Sequence, residues 1–124
     1  MKILLIDDDA DIRLITKISL EKSGQHEVVL SEGGLESIDM ILQELPDLIL
    51  LDYLMPEIDG PELYEKLRNI PNSRLNEIPV IFLTGKTKDD EIQELLSLGA
   101  IGVIKKPFDP LTLLNEIINI ISPK

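Results

Sequence analysis

Five short apolar runs, Ile3 to Ile6, Val28 to Leu30, Leu48 to Leu51, Val80 to Leu83 and Ile101 to Ile104, recur along the chain with stretches of helical character between them. Runs that short and rich in Ile, Leu and Val read as strands buried on both faces. Strand alternating with helix throughout predicts an α/β fold, because parallel neighbours need a crossover and the crossover is usually a helix. The helix ends are marked. Gly24 follows the first helix, Gly99 follows the fourth, and Asp109-Pro110 supplies a capping acid and a first-turn proline for the fifth. At 124 residues the chain is long enough for one core, so residues 1–124 are expected to form one domain. With only Ser122, Pro123 and Lys124 after the last helix, no output domain is expected to follow.

What the runs deliver at their carboxyl ends matters more than the runs themselves. The first ends on Asp7, Asp8 and Asp9, the third on Asp52, the fourth on Thr84 and the fifth on Lys105 and Lys106. Open α/β sheets bind ligands in the crevice outside that edge. If the first and third strands are neighbours, Asp7, Asp8 and Asp52 converge. At a separation of about 4 Å and an effective dielectric near 20, each like-charged pair costs about 4 kcal/mol. A hard divalent cation relieves that repulsion. With no Cys, a single His and oxygen ligands only, Mg2+ is the natural choice and Mn2+ an allowed substitute. Lys106 brings a positive charge to the same edge and Thr84 a hydroxyl. A cation, a lysine and a hydroxyl around one carboxylate form a phosphoryl-binding cradle, with Asp52 as the nucleophile.

Charge narrows the partners. The chain holds 23 Asp plus Glu against 12 Lys plus Arg, a formal net charge of -11, which repels nucleic-acid backbones and anionic lipid heads. Neither nucleic acid nor a membrane surface is therefore an expected partner. No apolar stretch is long enough for a membrane span or a signal peptide, and the absence of Cys suits a reducing compartment, so the expected location is cytoplasmic.

Four motifs, in this order, carry a family resemblance: Ile6-Asp7-Asp8, then Leu51-Asp52-Tyr53-Leu54-Met55-Pro56 with Asp59-Gly60, then Leu83-Thr84-Gly85, then Lys106-Pro107-Phe108. Together they resemble the receiver domains of two-component response regulators, and the resemblance spans essentially the whole chain. It implies a flavodoxin-like, doubly wound, five-stranded parallel sheet in the order 2-1-3-4-5 with five helices; that order comes with the resemblance and not from spacing. It implies that Asp52 accepts a phosphoryl group from a histidine kinase or a histidine phosphotransfer protein. Asp7, Asp8, Asp52 and the backbone carbonyl of Leu54 would hold Mg2+, Thr84 and Lys106 would bind the phosphoryl group, and the Lys106-Pro107 bond would be cis. Such a domain modifies only itself and is not otherwise an enzyme. It would signal to an output protein, with the fourth helix, fifth strand and fifth helix as the docking face, as a monomer or a phosphorylation-dependent dimer. On the fifth helix, Leu114, Ile117, Ile118 and Ile121 are spaced to face the core, leaving Leu113 and Ile120 on a flank that either widens the core contact or meets a partner.

Some positions depart from the family pattern. Val103 stands where many receivers carry an aromatic switch residue, which mutes or rebuilds the switch. Leu54 and Lys86 occupy positions that commonly tune water access to the acyl phosphate. Asp9 is assigned to capping the first helix, Lys105 and His26 to ordinary surface or structural roles, and Tyr53 and Phe108 to packing. Two rival readings compete with the receiver. A haloacid-dehalogenase-type phosphatase would use Asp7 as nucleophile, but Asp11 replaces the usual Thr or Val after the acids and Asp52 is left unexplained. A phosphorylation-independent pseudo-receiver would bind a partner without the chemistry, against which stands the full set of acids, hydroxyl and lysine. A calcium loop starting at Asp7 fails, since Ile12 and Ile18 occupy the positions that need Gly and Glu.

Overall fold

In a computed structural model, residues 1–85 and 88–122 are described. The strands are β1 (Lys2–Ile6), β2 (Glu27–Ser31), β3 (Leu48–Asp52), β4 (Val80–Thr84) and β5 (Gly102–Lys105). They form one parallel sheet in the order β2-β1-β3-β4-β5, as the resemblance implied. Every residue of β3 and β4 is buried, which accounts for the absence of polar alternation in their sequences.

The two faces of the sheet carry separate cores. Leu4, Ile6, Ile49, Leu51, Val80 and Phe82 point to one side, where α2 (Glu36–Glu44), α3 (Gly60–Arg68), α4 (Ser73–Glu77) and α5 (Asp89–Leu98) cover them. Ile3, Leu5, Leu48, Leu50, Ile81 and Leu83 point to the other, against α1 (Ala10–Glu21) and α6 (Leu113–Ile121). Burying a side chain of this kind contributes about 1.5–3 kcal/mol, so the central strands dominate the stability of the fold.

Local chemistry starts the helices where the site needs them. Asp9 caps α1, accepting from Asp11 N at 2.9 Å and Ile12 N at 3.3 Å. Asp59 caps α3, accepting from Glu62 N at 2.9 Å, with Pro61 in the first turn. Gly99 closes α5 with φ 119°, a left-handed conformation that a side chain would resist.

Three expectations need correction. Among the described residues there are six helices, not five, because Asn72 caps the extra single-turn helix α4; five residues are too few to show a helical period. The last helix starts at Leu113 and not at Pro110: Asp109 accepts from Leu111 N at 2.9 Å and caps a turn instead. The apolar stripe of α6 also has a different phase. Leu113 and Ile117 are fully buried, Ile120 packs on Gly102, and Ile118 and Ile121 are the exposed pair at 42% and 38%. Leu113 and Ile120 therefore belong to the core and do not form a docking flank.

Candidate functional site

Parallel pairing sets the site. Ile6 pairs with Leu51, so the residues that follow, Asp7 on the β1 side and Asp52 at the end of β3, leave the sheet side by side. Asp52 pairs with Leu83 and Thr84 with Lys105, which brings the ends of β4 and β5 to the same edge. Tyr53 N donates to Leu83 O at 2.9 Å and Lys106 N to Thr84 O at 2.8 Å, extending both ladders past the strands. The Lys106-Pro107 peptide is cis.

The side chains gather as expected from those registers. Lys106 Nζ donates to Asp7 Oδ2 at 2.7 Å and to Asp52 Oδ1 at 3.0 Å. One carboxylate oxygen each from Asp7, Asp8 and Asp52 lies within 4.8 Å of the other two. Asp7 is fully buried, Asp52 and Thr84 nearly so, and Asp8 is exposed. Three carboxylates and one ammonium in this space leave negative charge uncompensated, and the donors are all oxygen. That set fits a small hard dication with its open side at Asp8.

The charge imbalance is visible in the protonation equilibria. Burial pushes the Asp52 carboxyl up to about 6; the hydrogen bond from Lys106 opposes this, and the charges of Asp7 and Asp8 add to it. Burial would lower the Lys106 ammonium, but hydrogen bonds to Asp7 and Asp52 outweigh it and leave the group raised and firmly charged. Asp52 is therefore a carboxylate that its surroundings do not fully stabilise.

The backbone around Asp52 is tightly constrained. Gly60 N donates to Tyr53 O at 2.9 Å, and a Cβ on Gly60 would sit 2.4 Å from the Asp52 carbonyl oxygen. The start of α3 can approach the Asp52 strand that closely only with glycine there. Leu54 follows the strand with a side chain 69% exposed, while Val103 is part-buried against the core. Tyr53 and Phe108 are part-buried packing residues, in line with their expected roles. Lys86 lies outside the described residues.

One participant is not marked by any sequence motif. Arg13, on the first turn of α1, donates from Nη1 to the Asp7 carbonyl oxygen at 2.8 Å, and its Nη2 lies 3.6 Å from Glu32. Its position six residues after Asp7 returns it to the end of β1, but a lone arginine on a helix carries no distinguishing pattern. Outside the acidic edge, the exposed apolar side chains Ile15 and Ile18 of α1 and Leu111, which is 83% exposed, line a groove of about 450 Å³ together with Pro110 and Leu114. Among the described residues no helix is long and apolar enough to cross a membrane.

Comparison with known proteins agrees with this geometry. A family model described as the response regulator receiver domain matches residues 3–118. Sporulation initiation phosphotransferase F of Bacillus subtilis is 36% identical over 108 residues, covering 87% of this chain and 83% of its own. Response regulator Rre1 of Synechocystis sp. is 33% identical over 110 residues, 89% of this chain; the chain spans 47% of Rre1, about half the length of that relative. Among solved structures, the chemotaxis response regulator CheY4 of Vibrio cholerae superposes with a TM-score of 0.87 at 31% identity, covering 96% of this chain and 97% of that one. Because the match takes in the sheet together with the four strand ends that assemble the acids, the hydroxyl and the lysine, this chain belongs to the response regulator receiver domain family of two-component systems.

Proposed function

We propose that the chain is a phosphorylation-controlled receiver in which Asp52 accepts a phosphoryl group from a histidine kinase or a histidine phosphotransfer protein. The observation that carries the reading is the convergence of Asp7, Asp8, Asp52 and Lys106 at one sheet edge, with Thr84 on the adjacent strand end. A carboxylate oxygen of Asp52 forms the new O–P bond as the N–P bond of a phosphohistidine breaks. The electron pair returns to the imidazole, which takes a proton from solvent. With its carboxyl raised to about 6, Asp52 is mostly ionised at neutral pH and so competent to attack. Asp7, Asp8, Asp52 and the Leu54 carbonyl would hold Mg2+ (or Mn2+), which supplies neutralising charge for the phosphoryl oxygens. Lys106 exchanges its bond to Asp52 for one to a phosphoryl oxygen and keeps its ion pair with Asp7. The Thr84 hydroxyl donates to another oxygen.

The docking side for the donor is α1, which starts directly after the acids that follow β1 and exposes Leu14, Ile15 and Ile18. Output passes to a protein partner through the face of α5, β5 and α6. Nothing bulky swings on that face, since Val103 is the switch-position residue. A modest population shift is expected. Residues 1–124 act as one unit in this reading, in the cytoplasm, as a monomer or as a dimer formed on phosphorylation.

Incubation with acetyl phosphate and Mg2+ should give a hydroxylamine-labile adduct on Asp52, lost in Asp52→Asn and in EDTA. An adduct on Asp7 would favour the phosphatase reading, and no adduct with an intact fold would favour the pseudo-receiver.

A further inference from the structure

Asp7 and Asp8 are adjacent, yet they are held in opposite ways. Asp7 is anchored through every polar group it has. Its N–H donates to Ser31 O at 3.1 Å, its Oδ1 accepts from Asp9 N at 2.9 Å, its Oδ2 from Lys106, and its carbonyl from Arg13. Asp8 is exposed, and among the described residues no hydrogen bond or ion pair holds its carboxylate. Its place is therefore set by the two peptide units that flank it. The peptide that follows is pinned through the bond from Asp9 N to Asp7 Oδ1, and the peptide that precedes it through the bond from Arg13 to the Asp7 carbonyl.

We propose that Arg13 is a positioning residue for Asp8: by clamping the Asp7-Asp8 peptide from the first turn of α1, it aims the unanchored carboxylate at the divalent-cation site. The inference rests on the reading of Asp7, Asp8 and Asp52 as that site. The guanidinium suits the task because it is only 15% exposed, cannot deprotonate and presents its donors in a rigid plane. The contact to Glu32 adds little, since that carboxylate is 85% exposed.

The sign of the effect separates this role from a purely electrostatic one. Arg13 is a cation near a cation site, so by Coulomb's law alone its removal should tighten divalent binding. Positioning predicts the reverse. Groups that orient metal ligands from behind typically contribute about tenfold or more to affinity. Mg2+ binding by isothermal titration calorimetry, with Mn2+ and water-proton relaxation for the weaker sites, should show Arg13→Gln about tenfold weaker than wild type and Arg13→Lys intermediate, because a lysine keeps one donor within reach of the carbonyl. In an Asp8→Asn background, Arg13→Gln should cost no further affinity, since the group it positions is gone. Unchanged or tighter binding by Arg13→Gln, or full additivity in the double variant, overturns the inference. If Arg13→Gln fails to fold, Arg13→Lys and the Asp8→Asn cycle built on it decide in the same way. A wild-type protein that binds neither cation overturns the reading of the site itself and not the role of Arg13 alone.

Discussion

The two edges of the sheet treat charge in opposite ways. At the amino-terminal edge charges are matched locally. Lys2 Nζ lies 3.3 Å from Glu44 Oε1, the Lys2 main-chain N–H donates to Asp47 Oδ2 at 2.7 Å, and Arg68 donates to Leu75 O at 2.8 Å and Ile78 O at 2.9 Å while lying 4.7 Å from the centre of the Tyr64 ring. At the carboxyl edge three carboxylates gather and one lysine pairs with two of them, Asp7 and Asp52. One edge closes the fold, and the other holds an imbalance that a bound cation or a proton on Asp52 would relieve. Stability and function are thus drawn from opposite ends of the same strands.

The contrast is most sharply tested by removing charge at the carboxyl edge. The Asp52 carboxyl is raised from 3.8 to about 6 in the folded state, so its favourable contribution is complete below about pH 4 and is lost as pH rises through about 6. In EDTA, Asp52→Asn should therefore be more stable than wild type at pH 7.5 by about 3 kcal/mol, with the margin shrinking towards pH 5. Urea unfolding of both proteins across that range measures it. A margin that does not change with pH would mean that Asp52 is not frustrated.

At the amino edge the same operation should have the reverse sign. Arg68→Ala orphans two carbonyls and removes a cation from the Tyr64 ring, a loss of about 2 kcal/mol at any pH between 5 and 8. Labelling of Asp52 by acetyl phosphate should persist at temperatures where the variant is folded. Loss of labelling without unfolding would couple the two edges and break the comparison.

Lys2→Ala should do least. Both partners of its pair with Glu44 are about one-third exposed, and such pairs contribute under about 1 kcal/mol. The difference from wild type should shrink further in high salt. A larger, salt-insensitive loss would show that the amino edge depends on ion pairs more than on backbone caps.

Much of the carboxyl edge was legible in the sequence, because a buried parallel strand must end where its apolar run ends. Asp7, Asp52 and Thr84 each follow such a run directly and Lys106 follows one residue later, and the pairing of β1 with β3, β3 with β4 and β4 with β5 brings them together. Arg13 was not legible, since its bond to a main-chain oxygen depends on tertiary placement and leaves no trace in residue type. The phase of α6 failed for a different reason. Leu113, Leu114, Ile117, Ile118, Ile120 and Ile121 form one broad apolar arc whose centre the sequence does not mark, so the inward line runs through Leu113, Ile117 and Ile120 and not through Leu114, Ile118 and Ile121. Helix α4 escaped notice because its signal is a single cap, Asn72, with no period behind it.

Gly60 turns the approach of α3 to the Asp52 strand into a rule about substitution. The first atom that a side chain there would meet is a main-chain oxygen, which cannot rotate aside as a side chain could. In a library randomised one position at a time through this loop, position 60 should return glycine alone among folded members, while the half-exposed Pro61 and exposed Glu62 accept many residues. The least substitutable letter near Asp52 would then be one with no chemistry of its own.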